Sequence, residues 1–195
     1  MRIGIVTLGC DKNTVDNEYL AGILARHGCD VTAVTPEDAA GMDAVVVTTC
    51  GFIGDAKKQS IEAIVDLADA KRETGTPKRL FVAGCLTQRY GKELLDEFPE
   101  IDGLAGVGQF ETLAEMILAA APPTPRNAAL PTPCVEVRNP IARKRLDTLP
   151  YSFLKIADGC DHRCAFCAIP AMKGPMRSTP SEILLEEARV LIAQD

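Results

Sequence analysis

Eight consecutive residues in the last quarter of the sequence contain three cysteines. Cys160, Cys164 and Cys167 have the spacing C-x3-C-x2-C, and no fourth cysteine follows them. Thiolates are the usual ligands of iron–sulfur clusters, and a four-iron cluster normally takes four of them. Because this loop supplies only three, one iron is left open to a substrate or a cofactor. The spacing therefore predicts a catalytic metal site rather than a closed structural one.

Zinc is the alternative for the same loop. A structural zinc ion takes four ligands, usually cysteine and histidine, and His162 is the candidate for the fourth position. His162 lies so close in sequence to Cys160 and Cys164 that it cannot comfortably bind the same ion beside them. Cysteine spacing alone does not separate iron from zinc, so both metals stay open here, and iron is favoured.

Three further cysteines, Cys10, Cys50 and Cys85, each follow a short aliphatic run that predicts a buried strand. In a parallel sheet such strand ends share one edge, where open α/β folds place their sites. With the strand order 2-1-3-4-5 the three strands are neighbours, spaced by about 4.8 Å, and the thiols can reach one cluster. The alternative for each is a small buried apolar residue. Cys29 and Cys134 have no such company and are interpreted as structural.

The elements that must position these cysteines alternate between strands and helices. Aliphatic runs alternate with amphipathic stretches, which predicts an α/β fold with an open, mostly parallel five-stranded sheet flanked by helices. The predicted strands are Arg2–Thr7, Asp30–Val34, Ala44–Thr48, Leu80–Ala83 and Leu104–Val107. The predicted helices are Thr14–His27, Ala56–Thr74, Tyr90–Phe98 and Glu111–Ala121, and the second of them should bury Ile61, Ile64, Val65 and Ala68.

Changes in composition divide the sequence into three segments. Residues 1–121 form the α/β domain, and residues 122–149 form a proline-rich linker with a short strand at Cys134–Arg138. Residues 150–195 begin a second domain. Because clustered prolines cannot continue a helix, this segment is predicted to be a linker between the two domains.

The second domain is predicted to contain one strand, the cysteine loop and one helix. The strand is Ser152–Ile156 and the helix is Pro180–Gln194. A single strand and a single helix cannot bury their apolar faces. The sequence therefore predicts a truncated first βα unit that is poorly packed after about Tyr151.

Composition indicates a soluble, cytoplasmic protein. The chain has 195 residues, 47% of them hydrophobic and 25% charged, with a net charge of -6. The acidic balance disfavours direct binding to nucleic acid and favours a neutral or basic protein partner. No apolar run approaches the ~20 residues of a membrane span, and the start does not fit a signal peptide. In a reducing compartment, eight cysteines indicate metal binding rather than disulfides.

These motifs resemble the methylthiotransferase family of radical S-adenosylmethionine enzymes. The resemblance includes the aromatic Phe166 before the last cysteine of the loop. Its other motifs are Leu8–Asp16, Thr49–Ile53, Gly84–Tyr90, Lys155–Asp161, Ala168–Pro170, Gly174 and Arg177–Ser178. Together they span nearly the whole sequence and are highly specific.

The chain departs from the family pattern at a few positions. The family usually has Ser in place of Asn17 and Asn in place of Thr48. Met172 and Lys173 stand where an Ile-Arg pair is more usual. None of these departures removes a cysteine.

The resemblance implies two [4Fe-4S] clusters. The first would bind S-adenosylmethionine at its open iron, cleave it to a deoxyadenosyl radical and have Phe166 beside it. The second would be an auxiliary cluster that delivers sulfur, and another S-adenosylmethionine would supply the methyl group. The implied ligands are Cys160, Cys164 and Cys167 for the first cluster, and Cys10, Cys50 and Cys85 for the second.

The implied product is a methylthio group on the β-carbon of an aspartate in small-subunit ribosomal protein twelve. Flavodoxin or ferredoxin would donate the electron. Gly51-Phe52-Ile53 favours this substrate, because the branch of the family that modifies an adenosine of transfer RNA tends to carry Ser-Ile-Arg there. A third alternative is a non-catalytic iron–sulfur-binding module, since only one βα unit of the family's partial barrel is predicted.

Overall fold

A computed structural model describes residues 1–120, 127–129 and 143–194, with the backbone alone for residues 127–129. The strands are β1 (Arg2–Thr7), β2 (Asp30–Ala33), β3 (Ala44–Thr49), β4 (Arg79–Gly84), β5 (Ile101–Ala105), β6 (Asn127–Ala129), β7 (Ala157–Asp158) and β8 (Arg177–Ser178). The α-helices are α1 (Asp11–Arg26), α2 (Gly54–Thr74), α3 (Cys85–Glu97), α4 (Phe110–Leu118), α5 (Ile169–Lys173) and α6 (Ser181–Ile192), and Glu37–Ala39 forms a short 3-10 helix.

Strands β1 to β6 form one parallel sheet in the order β2-β1-β3-β4-β5-β6. The predicted order of the first five strands is confirmed. All six residues of β3 are buried, because helices cover both faces of the sheet. Val46 packs with α1 and α4 on one face, and Val45 packs with α2 and α3 on the other.

The sheet has one strand more than the five that were predicted. Asn127 pairs with Gly103 and Ala129 pairs with Ala105, so β6 extends the sheet in parallel with β5. These residues fall within the predicted linker, where a run of three small and polar residues carries no aliphatic signal. The strand predicted at Cys134–Arg138 lies outside the described residues.

The predicted apolar face of α2 is wrong at two of its four positions. Ile64 and Ala68 are buried, but Ile61 and Val65 are exposed by 41% and 36%. The helix is rotated so that small residues meet the sheet, and the buried set is Ser60, Ala63, Ile64, Leu67 and Ala68. The small side chains of Ser60, Ala63 and Ala68 lie on the buried face of the helix, and Ile61 and Val65 lie on its exposed face.

The predicted strand at Ser152–Ile156 is also wrong. The backbone there is irregular, and only the two residues of β7 pair, in antiparallel register with β8. A strand needs a neighbour for its N–H and C=O groups, and no described strand pairs with residues 152–156. Among the described residues no closed barrel forms.

The carboxyl-terminal region is nevertheless anchored to the sheet domain. The buried Arg143 guanidinium places Nη2 2.6 Å from Glu18 Oε2 of α1 and Nη1 2.5 Å from Glu187 Oε1 of α6. Met172 of α5 is buried as well. In α6, Glu187 and Leu191 are buried while Leu185 and Ile192 are exposed, so the expectation of poor packing after Tyr151 stays a prediction. Across the described ranges, none of the helices combines the length and apolar character needed to cross a membrane.

Candidate metal centre

The carboxyl ends of β1, β3 and β4 lie side by side at one edge of the sheet. Thr7 pairs with Thr48, and Thr49 pairs with Gly84, so the three strands end at nearly the same level. A cysteine follows each strand, directly after β3 and β4 and as the third residue after β1. The three cysteines at this edge are Cys10, Cys50 and Cys85.

Each of these cysteines is fixed by local backbone structure. Cys10 has an extended backbone at the start of α1, and its carbonyl accepts a hydrogen bond from the N–H of Asn13 (2.7 Å). The N–H of Cys50 donates to the hydroxyl of Ser60 on α2 (3.1 Å). Cys85 is the first residue of α3. Both α1 and α3 begin earlier than predicted, and both extensions bring a cysteine to a helix start.

Two glycines let the second and third of these segments approach each other. A side-chain Cβ at Gly51 would lie 2.6 Å from the carbonyl oxygen of Cys85. Gly84 has φ +103°, and a Cβ there would lie 2.8 Å from the carbonyl oxygen of Thr49. A larger residue at either position would collide with backbone atoms and push the cysteine segments apart.

Burial and the neighbouring charged groups both shift the pKa of the Cys85 thiol. Its side chain is buried, and burial raises the pKa of the thiol to about 11. The Lys173 ammonium lowers it, while Cys50 and Cys10 raise it further, so these groups are near enough to interact. The free thiol is therefore protonated at neutral pH, and a bound metal must displace that proton.

Within the described part of the chain, no three His, Cys, Asp or Glu side chains are grouped closely enough to bind one metal ion. A zinc ion needs ligand atoms about 2.0–2.3 Å from a single point. In an iron–sulfur cluster each thiolate binds a different iron, so the sulfurs are spread more widely. The assignment of Cys10, Cys50 and Cys85 to an iron–sulfur cluster stays a prediction.

The three-cysteine loop is held at its base and open at its tip. The N–H of Cys160 donates to the carbonyl of Gly174 (3.1 Å), and the N–H of Cys167 donates to the carbonyl of Cys164 (3.1 Å). Cys164 is exposed, and Cys160 and Cys167 are half-buried. Phe166 is 90% exposed. The tip of the loop, with Cys164 and Phe166, is therefore accessible from solvent.

A buried ion-pair network connects the two cysteine groups. The Asp158 carboxylate, two residues before Cys160, lies 2.9 Å from the Lys155 ammonium, 3.1 Å from Lys173 and 3.5 Å from Lys12. Lys155 also lies 2.5 Å from Asp16 of α1. Lys12 and Asp16 belong to the helix that follows Cys10, so the network spans both regions.

Sequence reasoning missed this network. The sequence places Lys12, Asp16 and Lys155 inside the cysteine motifs but indicates no partner for any of them. The available signal was the concentration of charged residues inside the cysteine motifs themselves. The partners of those residues depend on tertiary contacts, which no local pattern reveals.

Comparison with known proteins identifies the family to which the chain belongs. The model of the family described as "Uncharacterized protein family UPF0004" matches residues 2–106. Three proteins named "Ribosomal protein uS12 methylthiotransferase RimO" match nearly the whole chain. The relative from Pelotomaculum thermopropionicum is 42% identical over 202 residues, covering 98% of this chain and 42% of the relative.

The relative from Anaeromyxobacter sp. is 43% identical over 195 residues, covering 99% of this chain and 39% of its own length. The relative from Desulforudis audaxviator is 40% identical over 200 residues, covering 99% of this chain and 41% of the relative. The chain thus spans about two fifths of the length of these curated relatives. The family match covers more than half of the sequence, so the chain belongs to the UPF0004 family and is similar to the N-terminal region of the RimO methylthiotransferases.

Proposed function

We propose that this chain carries the cluster-binding region of a radical S-adenosylmethionine methylthiotransferase. Its substrate is small-subunit ribosomal protein twelve (uS12), and its product is a methylthio group on the β-carbon of an aspartate. The names of the relatives support this substrate. The observation that carries the proposal is the packing of α5, which follows the three-cysteine loop, against Cys85 at the sheet edge.

The proposed ligands form two sets, each for one [4Fe-4S] cluster. When bound, the clusters and S-adenosylmethionine supply radical generation and sulfur transfer. Phe166 is exposed and is available to pack beside S-adenosylmethionine. The set for the S-adenosylmethionine cluster is Cys160, Cys164 and Cys167, and the auxiliary set is Cys10, Cys50 and Cys85.

The chain's own residues position these ligand sets and shield one ligand, Cys85, from water. Asp158 ties the three-cysteine loop to α1 through Lys155 and Asp16. Met172 covers Cys85, whose side chain is buried.

Iron and sulfide content tests the cluster assignment. After anaerobic reconstitution we expect about eight irons and about eight sulfides per chain, as two four-iron clusters require. Cys10→Ala and Cys164→Ala should each lose about half of this content, because each removes a ligand from a different set. Zinc without sulfide, or equal loss of all iron in both variants, would contradict the assignment.

We further propose that the 195-residue chain binds clusters without turnover. Its described part after Tyr151 contains two two-residue strands and two helices, which are too few to enclose S-adenosylmethionine. The assay combines the reconstituted chain with uS12, S-adenosylmethionine, sulfide and reduced flavodoxin or ferredoxin, and mass spectrometry should detect no methylthio-aspartate. Robust product would contradict this proposal.

The substrate assignment has its own test. If the same assay is supplied with transfer RNA, a methylthio group on an adenosine rather than on uS12 would contradict both this assignment and the absence of turnover. The acidic net charge of -6 also disfavours direct contact with nucleic acid. We place the reaction in the cytoplasm, where thiols stay reduced.

A further inference from the structure

Lys173 follows the three-cysteine loop in sequence, yet it lies beside Cys85 at the sheet edge. It is the last residue of α5, and its side chain is 8% exposed. Lys173 and Cys85 line the same cavity. The preceding residue, Met172, packs against Cys85 and Val107, which fixes the backbone of α5 at this place.

The positive charge of Lys173 is maintained by its surroundings. Asp158 lies 3.1 Å from the Lys173 ammonium and shares its carboxylate with Lys155. Lys173 is thus a buried cation next to one of the proposed auxiliary ligands, and the charge is held in place by a partner that is also buried.

A cluster held by three thiolates is anionic, and reduction adds a further negative charge. A fixed cation at short range, shielded from solvent, stabilises the reduced form more than the oxidised form. We propose that Lys173 raises the reduction potential of the cluster held at Cys10, Cys50 and Cys85. This inference rests on the proposed function, and it makes one cluster sensitive to the region that binds the other.

The test uses a variant that keeps only the auxiliary ligands, with Cys160, Cys164 and Cys167 all changed to Ala. In this background Lys173→Met removes the charge and keeps an unbranched apolar stem of similar length, while Lys173→Arg keeps the charge. Potentiometric titration followed by electron paramagnetic resonance measures the midpoint potential. We expect a more negative midpoint in Lys173→Met and a nearly unchanged one in Lys173→Arg.

Lys71→Met is the matched control. Lys71 is also a partly buried lysine, and it forms an ion pair with Asp102. That pair lies at the opposite edge of the sheet. Asp102 accepts a hydrogen bond there from the N–H of Leu80, near the start of β4. Lys71→Met removes one positive charge, as Lys173→Met does, and it should leave the midpoint potential of the cluster unchanged.

The outcomes are distinguishable. An unchanged midpoint in Lys173→Met with full cluster content would overturn the inference and leave the proposed function intact. Loss of the cluster from Lys173→Met alone would also overturn it, because it would assign Lys173 to cluster assembly rather than to the potential. Absence of any cluster in the parent chain would refute the proposed function and this inference with it.

Discussion

The two cysteine groups are held in opposite ways. At the sheet edge, cysteines that are distant in sequence are brought together by parallel strands, and Cys85 is only 8% exposed. In the three-cysteine loop, the ligands are neighbours in sequence, and Cys164 is exposed. Distant ligands need a rigid sheet, whereas adjacent ligands need only a turn with a fixed base. The first arrangement depends on the whole fold, and the second depends on a few residues.

The largest expected effect comes from breaking the buried contact that joins the two regions. Arg143→Met leaves the carboxylates of Glu18 and Glu187 buried without their cation, which should cost about 3–5 kcal/mol of unfolding free energy. Urea denaturation of the metal-free chain measures this. The control is Arg189→Met, whose pair with Glu186 is exposed, and its cost should stay below about 0.5 kcal/mol. Equal losses of unfolding free energy in Arg143→Met and Arg189→Met would show that the Arg143 contact does not hold the carboxyl-terminal region to the sheet domain.

Thiol reactivity sharpens the comparison next. The pKa of Cys85 is raised to about 11 from an ordinary value of 9.0, so its thiolate fraction at neutral pH is about 100-fold lower. In the metal-free chain, iodoacetamide should alkylate Cys164 long before Cys85, as peptide mass spectrometry can show. The Cys85 rate should keep rising with pH up to about pH 11. Equal rates for the two thiols at neutral pH would contradict the burial of Cys85.

Two apolar residues near the three-cysteine loop should respond differently to truncation. Met172 is buried against Cys85, and Met172→Ala should cost about 2 kcal/mol. Phe166 is almost fully exposed, and Phe166→Ala should change stability by less than about 0.5 kcal/mol. Thermal unfolding of the metal-free variants compares them. A similar cost at both positions would mean that Phe166 at the loop tip is packed and not exposed.

The smallest effect concerns two departures from the family pattern that touch each other. The Asn17 amide donates to the hydroxyls of Thr7 and Thr48, each at 2.7 Å. Asn17→Ser should cost about 1 kcal/mol, because both bonds are lost in a buried site. Adding Thr48→Asn should recover part of the loss, since it restores the family's usual pair. A double-mutant cycle measures this coupling, and strict additivity would contradict it.

The comparison also explains what sequence could predict. The aliphatic runs predict the strands, and the assumed order 2-1-3-4-5, from which the adjacency of the loops after β1, β3 and β4 follows, is confirmed. The start of α3 at Cys85 was missed, because cysteine is not a usual helix-start residue and Tyr90 interrupts the helix with φ −132°. The face of α2 was missed because Ser60 replaces a large apolar residue in the buried stripe.

Charged residues were the hardest to interpret from sequence. Lys155 and Asp158 are three residues apart in an irregular segment, and nothing local indicates that both are buried. Their burial depends on α1 and α5, which supply Asp16 and Lys173 as partners. Such pairs are fixed only once the two regions are docked. Local spacing identified the cysteines, but it could not identify the groups that set their electrostatic surroundings.

The contact at Gly51 determines how closely the segments of two proposed metal ligands, Cys50 and Cys85, can approach. The Cα of Gly51 rests on the peptide unit that joins Cys85 to Leu86, and even one additional carbon would lie 2.6 Å from it. The spacing between the segments of Cys50 and Cys85 is therefore set by the van der Waals radii of main-chain atoms, not by side chains that could be exchanged. Substitutions elsewhere in the core can change how stable this edge is, while its narrowest dimension stays the same.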